Sequence, residues 1–305
     1  MLFVRKRVNA MKRKLILGYA FIILSAVIFG CNPLLVKFIQ KEGLNSISLV
    51  LLRNMLSIPV LAALAYRQHK TLCIPVKALP AIGMTGLMGC CITPILLFSS
   101  YSYIASGTAT VFHFIYPAAV VLAGVLIYRE TPSRGNLMSV ILCVLGICLF
   151  YTPGQPLDWR GSAFALLSGI TYAVYILQLS HFRYPDVSGF LFSLYVSVIS
   201  SAAMLAVCLA SGTLVLPGSF LGWVYCFGFS IVINVCAVVM FQQGTFYIGG
   251  QKASILSTLE PITSIFVGAL AFREVIGLRT AAGSALVIAA SILIALTDMK
   301  TNSKE

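Results

Sequence analysis

Residues 109–130 of the chain read ATVFHFIYPAAVVLAGVLIYRE, and residues 253–274 read ASILSTLEPITSIFVGALAFRE. An offset of 144 residues superimposes an alanine, a proline, a glycine, a leucine and a closing Arg-Glu pair. The matched residues are Ala109 with Ala253, Pro117 with Pro261, Gly124 with Gly268, Leu126 with Leu270, and Arg129-Glu130 with Arg273-Glu274. Similarity at a fixed offset indicates an internal duplication. A weaker match, Leu24-Ser25 with Leu167-Ser168, pairs the first apolar run with the sixth.

The composition places the chain in a lipid bilayer. It has 305 residues, of which 59% are hydrophobic and 10% charged, against roughly 45–50% apolar and about 25% charged residues in soluble domains. The net charge of +13 does not indicate nucleic-acid binding, because six basic residues lie ahead of the first apolar run and indicate retention on the cytoplasmic side. These residues are Arg5, Lys6, Arg7, Lys12, Arg13 and Lys14.

With about 20 residues required per crossing, the apolar runs predict an all-α membrane protein with ten transmembrane helices. The predicted spans are 15–39, 46–66, 78–99, 107–128, 135–152, 161–180, 188–210, 220–242, 253–272 and 277–297. Placing the N-terminus inside puts 15 of the 21 Lys and Arg residues on the inner side and 4 on the outer side. This bias predicts that both termini are cytoplasmic.

The duplication divides these spans into two five-helix repeats. We expect a basic N-terminal segment at 1–14, repeats at 15–152 and 161–297 joined by a linker at 153–160, and a C-terminal tail at 298–305. Because five is odd, the second repeat would enter the membrane inverted, and inverted repeats are typical of carriers that open to alternate sides. The alternative is that duplication only enlarged a helix bundle.

The nine cysteines indicate neither a metal site nor a cofactor. They fall mostly inside apolar runs, without paired spacing and without companion histidines. We therefore expect them to be small buried hydrophobic residues, and we expect no bound cofactor or metal.

Polar groups inside apolar spans are candidates for function because they are costly in lipid. Glu260, directly before Pro261, is the strongest; it could exchange protons, bind a cationic substrate group, or only hold the proline break by hydrogen bonding. The 144-residue offset relates His113 and Tyr116 to Ser257 and Glu260, and we expect all four to face one cavity. His113 suits a proton relay or a carboxylate-binding group, or it is a neutral histidine bonded to a hydroxyl.

Further candidates are weaker. We expect helix breaks at Pro33, Pro94, Pro117 and Pro261. Asn32, Tyr175 and Gln242 are expected to line the cavity. For Lys37 and Arg53 we expect that long flexible side chains extend to the membrane interface, and the alternative is that they close a gate.

Several segments of the sequence resemble those of a known family. The similar segments are Phe29-Gly30-Cys31-Asn32-Pro33 followed by Lys37, then Arg53, then Pro117 to Arg129-Glu130, then Leu259-Glu260-Pro261, and Gly268 to Glu274. They are similar to the drug/metabolite transporter superfamily, specifically its ten-helix EamA-type exporters, over nearly the whole chain. The resemblance implies a central cavity lined by both halves, alternating access, and substrates such as amino acids, small metabolites or drugs. Phe29, where the family has tryptophan, and His113 depart from its pattern.

The sequence therefore predicts a secondary transporter that exports a small organic solute, a multi-pass protein of the cell membrane (the inner membrane in a bacterium). Its expected partners are the solute and the bilayer, with no nucleic acid, and it would act as a monomer or homodimer. A passive facilitator or channel is the alternative. An intramembrane enzyme using His113 and Glu260 is disfavoured, because HExxH, Gly-x-Ser-x-Gly and paired intramembrane aspartates are absent from the sequence.

Overall fold

The computed structural model describes residues 2–104, 106–129, 131, 133–149, 158–182, 184, 187–272 and 277–302. Within these ranges the secondary structure is entirely helical. Glu130, Arg273-Glu274 and most of the expected linker lie outside the described residues.

The first half of the chain contains nine α-helices, a 3₁₀ turn and a π-helical segment among the described residues. They are α1 (Leu2–Gly30), α2 (Asn32–Lys41), α3 (Ser46–Met55), α4 (Ile58–His69), the 3₁₀ turn Val76–Ala78, α5 (Leu79–Gly86), the π segment Leu87–Ile92, α6 (Thr93–Ser100), α7 (Ser106–His113), α8 (Tyr116–Tyr128) and α9 (Arg134–Cys148). We call Leu87–Ile92 the first π segment.

The second half of the chain contains a similar series of helices. Its elements are α10 (Trp159–Ser180), α11 (Gly189–Ser211), α12 (Phe220–Ser230), the π segment Ile231–Val238, α13 (Val239–Ile248), α14 (Gly250–Leu256), α15 (Leu259–Phe272) and α16 (Leu278–Asn302). We call Ile231–Val238 the second π segment.

Seven helical stretches of the described residues are long and apolar enough to cross a membrane. They are Arg13–Lys41, Ser46–Gln68, Val76–Ser100, Ala109–Tyr128, Trp159–Ser180, Gly189–Ser211 and Phe220–Ile248. The predicted spans 135–152, 253–272 and 277–297 are not among these seven: α9 has 15 residues and α15 has 14, and within α16 the apolar stretch found among the described residues is Ala281–Ala290.

The backbone repeats itself at the same offset as the sequence. The 3₁₀ turn begins at Val76 and α12 at Phe220, the two π segments begin at Leu87 and Ile231, and α9 and α16 begin at Arg134 and Leu278. Each of these pairs is separated by 144 residues. The turn Phe114–Ile115 between α7 and α8 likewise corresponds to Ser257–Thr258 between α14 and α15, to within one residue. The duplication is therefore visible in where these elements begin as well as in the sequence.

Helix packing reflects the same relation. α10 packs against α6, α7 and α8, while its counterpart α1 packs against α13, α14 and α15. α9 lies along α16, its own counterpart, and α11 lies along α3 and α4. The two repeats consequently share one interface through the middle of the bundle, and that interface contains the polar groups described below.

Proline explains where most of the helices are interrupted. A proline has no N–H, and its ring collides with the carbonyl four residues earlier, so helices restart just ahead of it. α2 starts at Asn32-Pro33, α8 at Tyr116-Pro117, and α15 two residues before Pro261. At Pro94 the helix is not broken but passes through the first π segment into α6. A break that we did not expect, Leu56–Ser57, precedes Pro59.

The cysteines are only partly as expected. All nine are free, and Cys90, Cys91, Cys143, Cys208 and Cys226 are buried. Cys73 and Cys148, however, are exposed, because they lie beside or within helix ends rather than in the core.

The first prediction concerns Gly30, where α1 meets α15. A Cβ there would lie 2.5 Å from Thr263 Cβ and 2.7 Å from the Glu260 carbonyl oxygen. We expect Gly30→Ala to lower stability by about 1–3 kcal/mol through overpacking, measured as thermal unfolding in detergent. Gly228→Ala is the matched control, since no atom lies within 4 Å of its Cβ position. Equal melting temperatures for the two variants would contradict this packing.

Candidate functional site

A cavity of about 70 Å³ lies between the two repeats. Its walls are mostly apolar and aromatic, with a few polar groups. The first repeat contributes Phe29, Asn32, Arg53, Gly89, Cys90, Thr93, Pro94, Leu97, Phe98 and His113, and the second contributes Tyr172, Tyr175, Val238, Phe241 and Glu260. Ligand pockets usually measure roughly 300–1,000 Å³, so in this conformation the central cavity admits water or a very small solute.

Arg53 is held at the cavity by a carbonyl that Pro94 makes available. Pro94 cannot donate a hydrogen bond to the Cys90 carbonyl four residues earlier. That carbonyl instead accepts from Asn54 Nδ2 at 3.3 Å and from Arg53 Nη2 at 3.5 Å. Arg53 Nε has no hydrogen-bond partner among the described residues. Part of the guanidinium therefore remains available to a ligand.

The second repeat fixes the same helix from the other side. Asn234 Nδ2 donates to the Arg53 carbonyl at 3.0 Å and to Asn54 Oδ1 at 2.9 Å, and Ser230 Oγ donates to the Arg53 carbonyl at 2.6 Å. Asn234 is the 144-residue counterpart of Cys90. The two π segments thus hold α3 between them.

The expectation that Arg53 extends to the membrane interface is wrong. Its side chain is 5% exposed and lines the central cavity, because the hydrogen bonds above hold α3 inside the bundle. Lys37 lies in α2, and its side chain, like that of Pro33, falls outside the described part. The neighbouring Asn32 lines the cavity, where its Oδ1 has no partner among the described residues.

His113 ends α7 and faces the cavity. Its Nδ1 lies 2.8 Å from Ser168 Oγ of α10, and Ser168 itself donates to the Ala165 carbonyl at 2.6 Å. The Ser168 hydroxyl therefore links the His113 ring to the backbone of α10. The ring also packs 5.4 Å from both Tyr116 and Tyr172. The packed, hydroxyl-bonded histidine described above as one alternative is therefore the arrangement in this conformation.

Glu260 enters the cavity from the first turn of α15. It is half-buried, and its backbone N–H donates to the Ser257 carbonyl at 2.9 Å across the break. Its carboxylate has no hydrogen bond or ion pair in the described structure. The break at Pro261 is thus stabilised by the backbone of Glu260, and its side chain is left facing the cavity.

The four residues related by the repeat do not all face the cavity. His113 and Glu260 line it, whereas Tyr116 and Ser257 are buried behind it. Tyr116 packs edge-on against Tyr172 with ring centroids 4.8 Å apart, and Ser257 Oγ donates to the Ala253 carbonyl at 2.6 Å. Both support the cavity wall from the second layer.

Tyr175 and Gln242 form a polar layer on one side of the cavity. Gln242 is fully buried; its Nε2 donates to Tyr175 Oη at 3.3 Å, and its Oε1 accepts from Ser193 Oγ. Beyond this layer lies a second cavity of about 640 Å³, which we call the vestibule. It is lined by Gln68, Ser180, Phe182, Tyr184, Val187, Ser188, Gly189, Gln243, Phe246 and Tyr247. Along α10 and α13, Tyr175 and Gln242 thus lie between residues that line the central cavity and residues that line the vestibule.

Sequence reasoning missed the hydrogen-bond partners of Arg53, His113 and Gln242. The Cys90 carbonyl, Ser168 and Ser193 were not candidates, since backbone acceptors and serines inside apolar runs have no distinctive pattern. One signal was present: a proline at 94 exposes the carbonyl at 90. No cluster of three or more metal-binding side chains occurs among the described residues.

The fold and this cavity define a helical membrane protein built from two repeats around a polar centre. Residues 16–152 and 159–296 each match the EamA-like transporter family, and the chain belongs to that family. It is a membrane transporter.

Several relatives are similar over almost their whole length. An uncharacterized transporter of Archaeoglobus fulgidus is 28% identical over 91% of this chain and 96% of its own. The uncharacterized transporter YcbK of Bacillus subtilis is 24% identical over 94% and 96%, and the uncharacterized inner membrane transporter YicL of Salmonella typhimurium is 23% identical over 92% and 95%. One protein crystal structure superimposes with a TM-score of 0.77 at 15% identity, covering 95% of this chain and 99% of that one, which supports the fold.

The junction around Arg53 yields a second prediction. Asn234→Ala removes the donor to Asn54 and one of the donors to the Arg53 carbonyl, leaving buried groups unpaired, and should cost about 1–3 kcal/mol of stability. Cys236→Ala in the same π segment is the control, and should shift the melting temperature much less. If these hydrogen bonds do not stabilise α3, both variants will be as stable as the unmodified protein.

Proposed function

We propose that the chain exports a small organic solute by alternating access through the central cavity. One observation carries this proposal: the cavity is formed by both repeats, and the helix interruptions around it recur at the same offset as the sequence. A site built from two equivalent halves can be reached from either side when the halves exchange conformations. The family and the names of the relatives support transport rather than catalysis.

The proposal includes ten crossings in two inverted five-helix repeats. It is supported by the pairing of α9 with α16 and by the matched surroundings of α1 and α10. The excess of Lys and Arg on one side supports cytoplasmic termini. The protein would lie in the cell membrane, in contact with the bilayer and the solute, as a monomer or homodimer.

The two ends of the bundle differ in a way that suits a carrier. At one end the chain between α2 and α3 is bonded to the chain between α11 and α12: Asn45 Nδ2 donates to the Thr213 carbonyl at 2.6 Å, and Ser219 Oγ donates to Glu42 Oε2 at 2.9 Å. At the other end the vestibule opens between α4, α10, α11 and α13. Opening the bonded end while closing the vestibule would move the access path across the membrane.

Glu260 is the proposed site of proton coupling, with His113 as the second titratable group of the cavity. A carboxylate without a protein partner can bind a proton on one side of the membrane and release it on the other. Arg53 lines the same cavity.

The third prediction tests transport itself. Reconstituted vesicles should show saturable flux of at least one small solute. Leu97→Trp places a larger side chain in the cavity and should reduce that flux at least tenfold. Leu96 does not line the cavity, so Leu96→Trp should retain most of the flux. If a broad solute screen shows no flux in either direction, or if both tryptophan variants change the flux equally, the solute does not pass through this cavity.

The fourth prediction concerns coupling. Glu260→Gln keeps the size of the side chain but cannot exchange a proton, so accumulation driven by a pH gradient should disappear while downhill exchange persists. Asp158→Asn changes a carboxylate outside the cavity, at the start of α10, and should leave gradient-driven accumulation intact. Unchanged accumulation and pH dependence in Glu260→Gln would remove Glu260 from the coupling mechanism.

A further inference from the structure

Arg53 is a buried cation without an acidic partner. Its side chain is 5% exposed and lines the central cavity. Nη2 donates to the Cys90 carbonyl at 3.5 Å, and Nε has no hydrogen-bond partner among the described residues. Glu260 lines the same cavity, but no ion pair joins it to Arg53. Because a buried charge without a counter-ion is strongly unfavourable, an anion beside this guanidinium would stabilise the fold.

The groups that hold Arg53 in place are neutral. The Cys90 carbonyl also accepts from Asn54 Nδ2 at 3.3 Å, and Asn234 Nδ2 donates to the Arg53 carbonyl at 3.0 Å. Carbonyl and carboxamide groups can position the side chain and its helix, but they carry no net charge. The positive charge of the guanidinium is therefore not balanced by these partners.

Tyr175 brings a second unused donor into the same cavity. Its ring packs directly over Gly89, next to Cys90, and leaves no space for a Cβ at position 89. The Tyr175 hydroxyl is buried and accepts from Gln242 Nε2 at 3.3 Å, and no acceptor for its own proton occurs among the described residues. Each repeat thus presents an unpaired donor to the cavity: the Nε–H of Arg53 and the O–H of Tyr175.

The size of the cavity selects a small anion. Its volume is about 70 Å³, and each buried water needs at least roughly 10–15 Å³ of such space. A single halide ion with a few waters fits this volume, whereas an anion with a chain of several carbon atoms does not. The remaining walls are mostly apolar and aromatic, which disfavours a multiply charged ion.

We propose that the central cavity contains a binding site for a chloride ion, formed by Arg53 of the first repeat and Tyr175 of the second. The ion accepts hydrogen bonds from the Arg53 Nε–H and the Tyr175 O–H and provides the counter-charge of the guanidinium. Glu260 lines the same cavity, and its charged carboxylate opposes the anion. This inference goes beyond the proposed transport function, because the site binds chloride whichever solute is carried.

Thermal unfolding of the purified full-length protein tests chloride binding. Sodium chloride is compared with sodium gluconate at equal sodium concentration, because gluconate has the same charge but is too large for the cavity. We expect chloride to raise the melting temperature by about 2–4 °C, saturably with concentration, since a ligand that binds the folded state stabilises it by mass action. Bromide should have a similar effect.

Four variants assign the site. Arg53→Gln should abolish the chloride-dependent shift. Tyr175→Phe keeps the packed ring but lacks the donor, and should weaken the apparent affinity for chloride by about fivefold or more. Glu260→Gln removes the opposing charge and should strengthen the affinity by about twofold or more. Arg160→Gln is the control, because this arginine is exposed and lies outside the cavity, and it should leave the shift unchanged.

Bromide anomalous diffraction from crystals of the unmodified protein locates the ion independently of any variant. We expect a peak within hydrogen-bonding distance of Arg53 and Tyr175. If Arg53→Gln does not fold, the bromide position and the other two cavity variants decide.

Several outcomes overturn the proposal. They are equal melting temperatures in chloride and gluconate, an unchanged chloride shift in Arg53→Gln or Tyr175→Phe, a Glu260→Gln variant that fails to bind chloride more tightly, and bromide located away from Arg53. None of these measurements depends on flux, so failure of the chloride site leaves the transport proposal intact.

Discussion

The site depends on one constraint: a backbone carbonyl inside a membrane must find a donor in the protein, because lipid offers none. Pro94 cannot donate to the Cys90 carbonyl, and Asn54 and Arg53 donate to it instead. This draws a guanidinium into the middle of the bundle. Pro94 therefore leaves an acceptor in the middle of the bundle, and Arg53 is one of the two side chains that use it.

Because of the duplication, equivalent positions in the two repeats both bind α3, but they do so with different chemical groups. Cys90 and Asn234 occupy equivalent positions, yet the first contributes a carbonyl and the second a carboxamide, and both bind α3. His113 and Ser257 are also equivalent, and only His113 lines the cavity. Equivalent backbones with unlike side chains thus surround one asymmetric cavity, an arrangement that the proposed alternating access requires.

The sequence is sufficient for the helical fold, the duplication and the family, because the long apolar runs and the 144-residue offset are properties of the chain alone. It also indicated Glu260, His113, Asn32 and Tyr175, which do line the cavity. The sequence wrongly places Arg53 at the membrane interface, because the position of a residue within a span does not reveal a hydrogen-bond acceptor on another helix. Tyr116, Ser257 and Gln242 were grouped with the lining residues, but a helical face does not distinguish the cavity surface from the layer behind it.

The account rests most directly on the opposite orientation of the two repeats, and equivalent residues test it. Ser133 and Gly277 are 144 residues apart, both exposed, and immediately precede α9 and α16. Single cysteines at these positions, in a variant without the native cysteines, can be labelled with a membrane-impermeant maleimide in intact cells and in inverted vesicles. The account predicts labelling at 133 only from the cytoplasmic side and at 277 only from the outside. Labelling of both from the same side would contradict it.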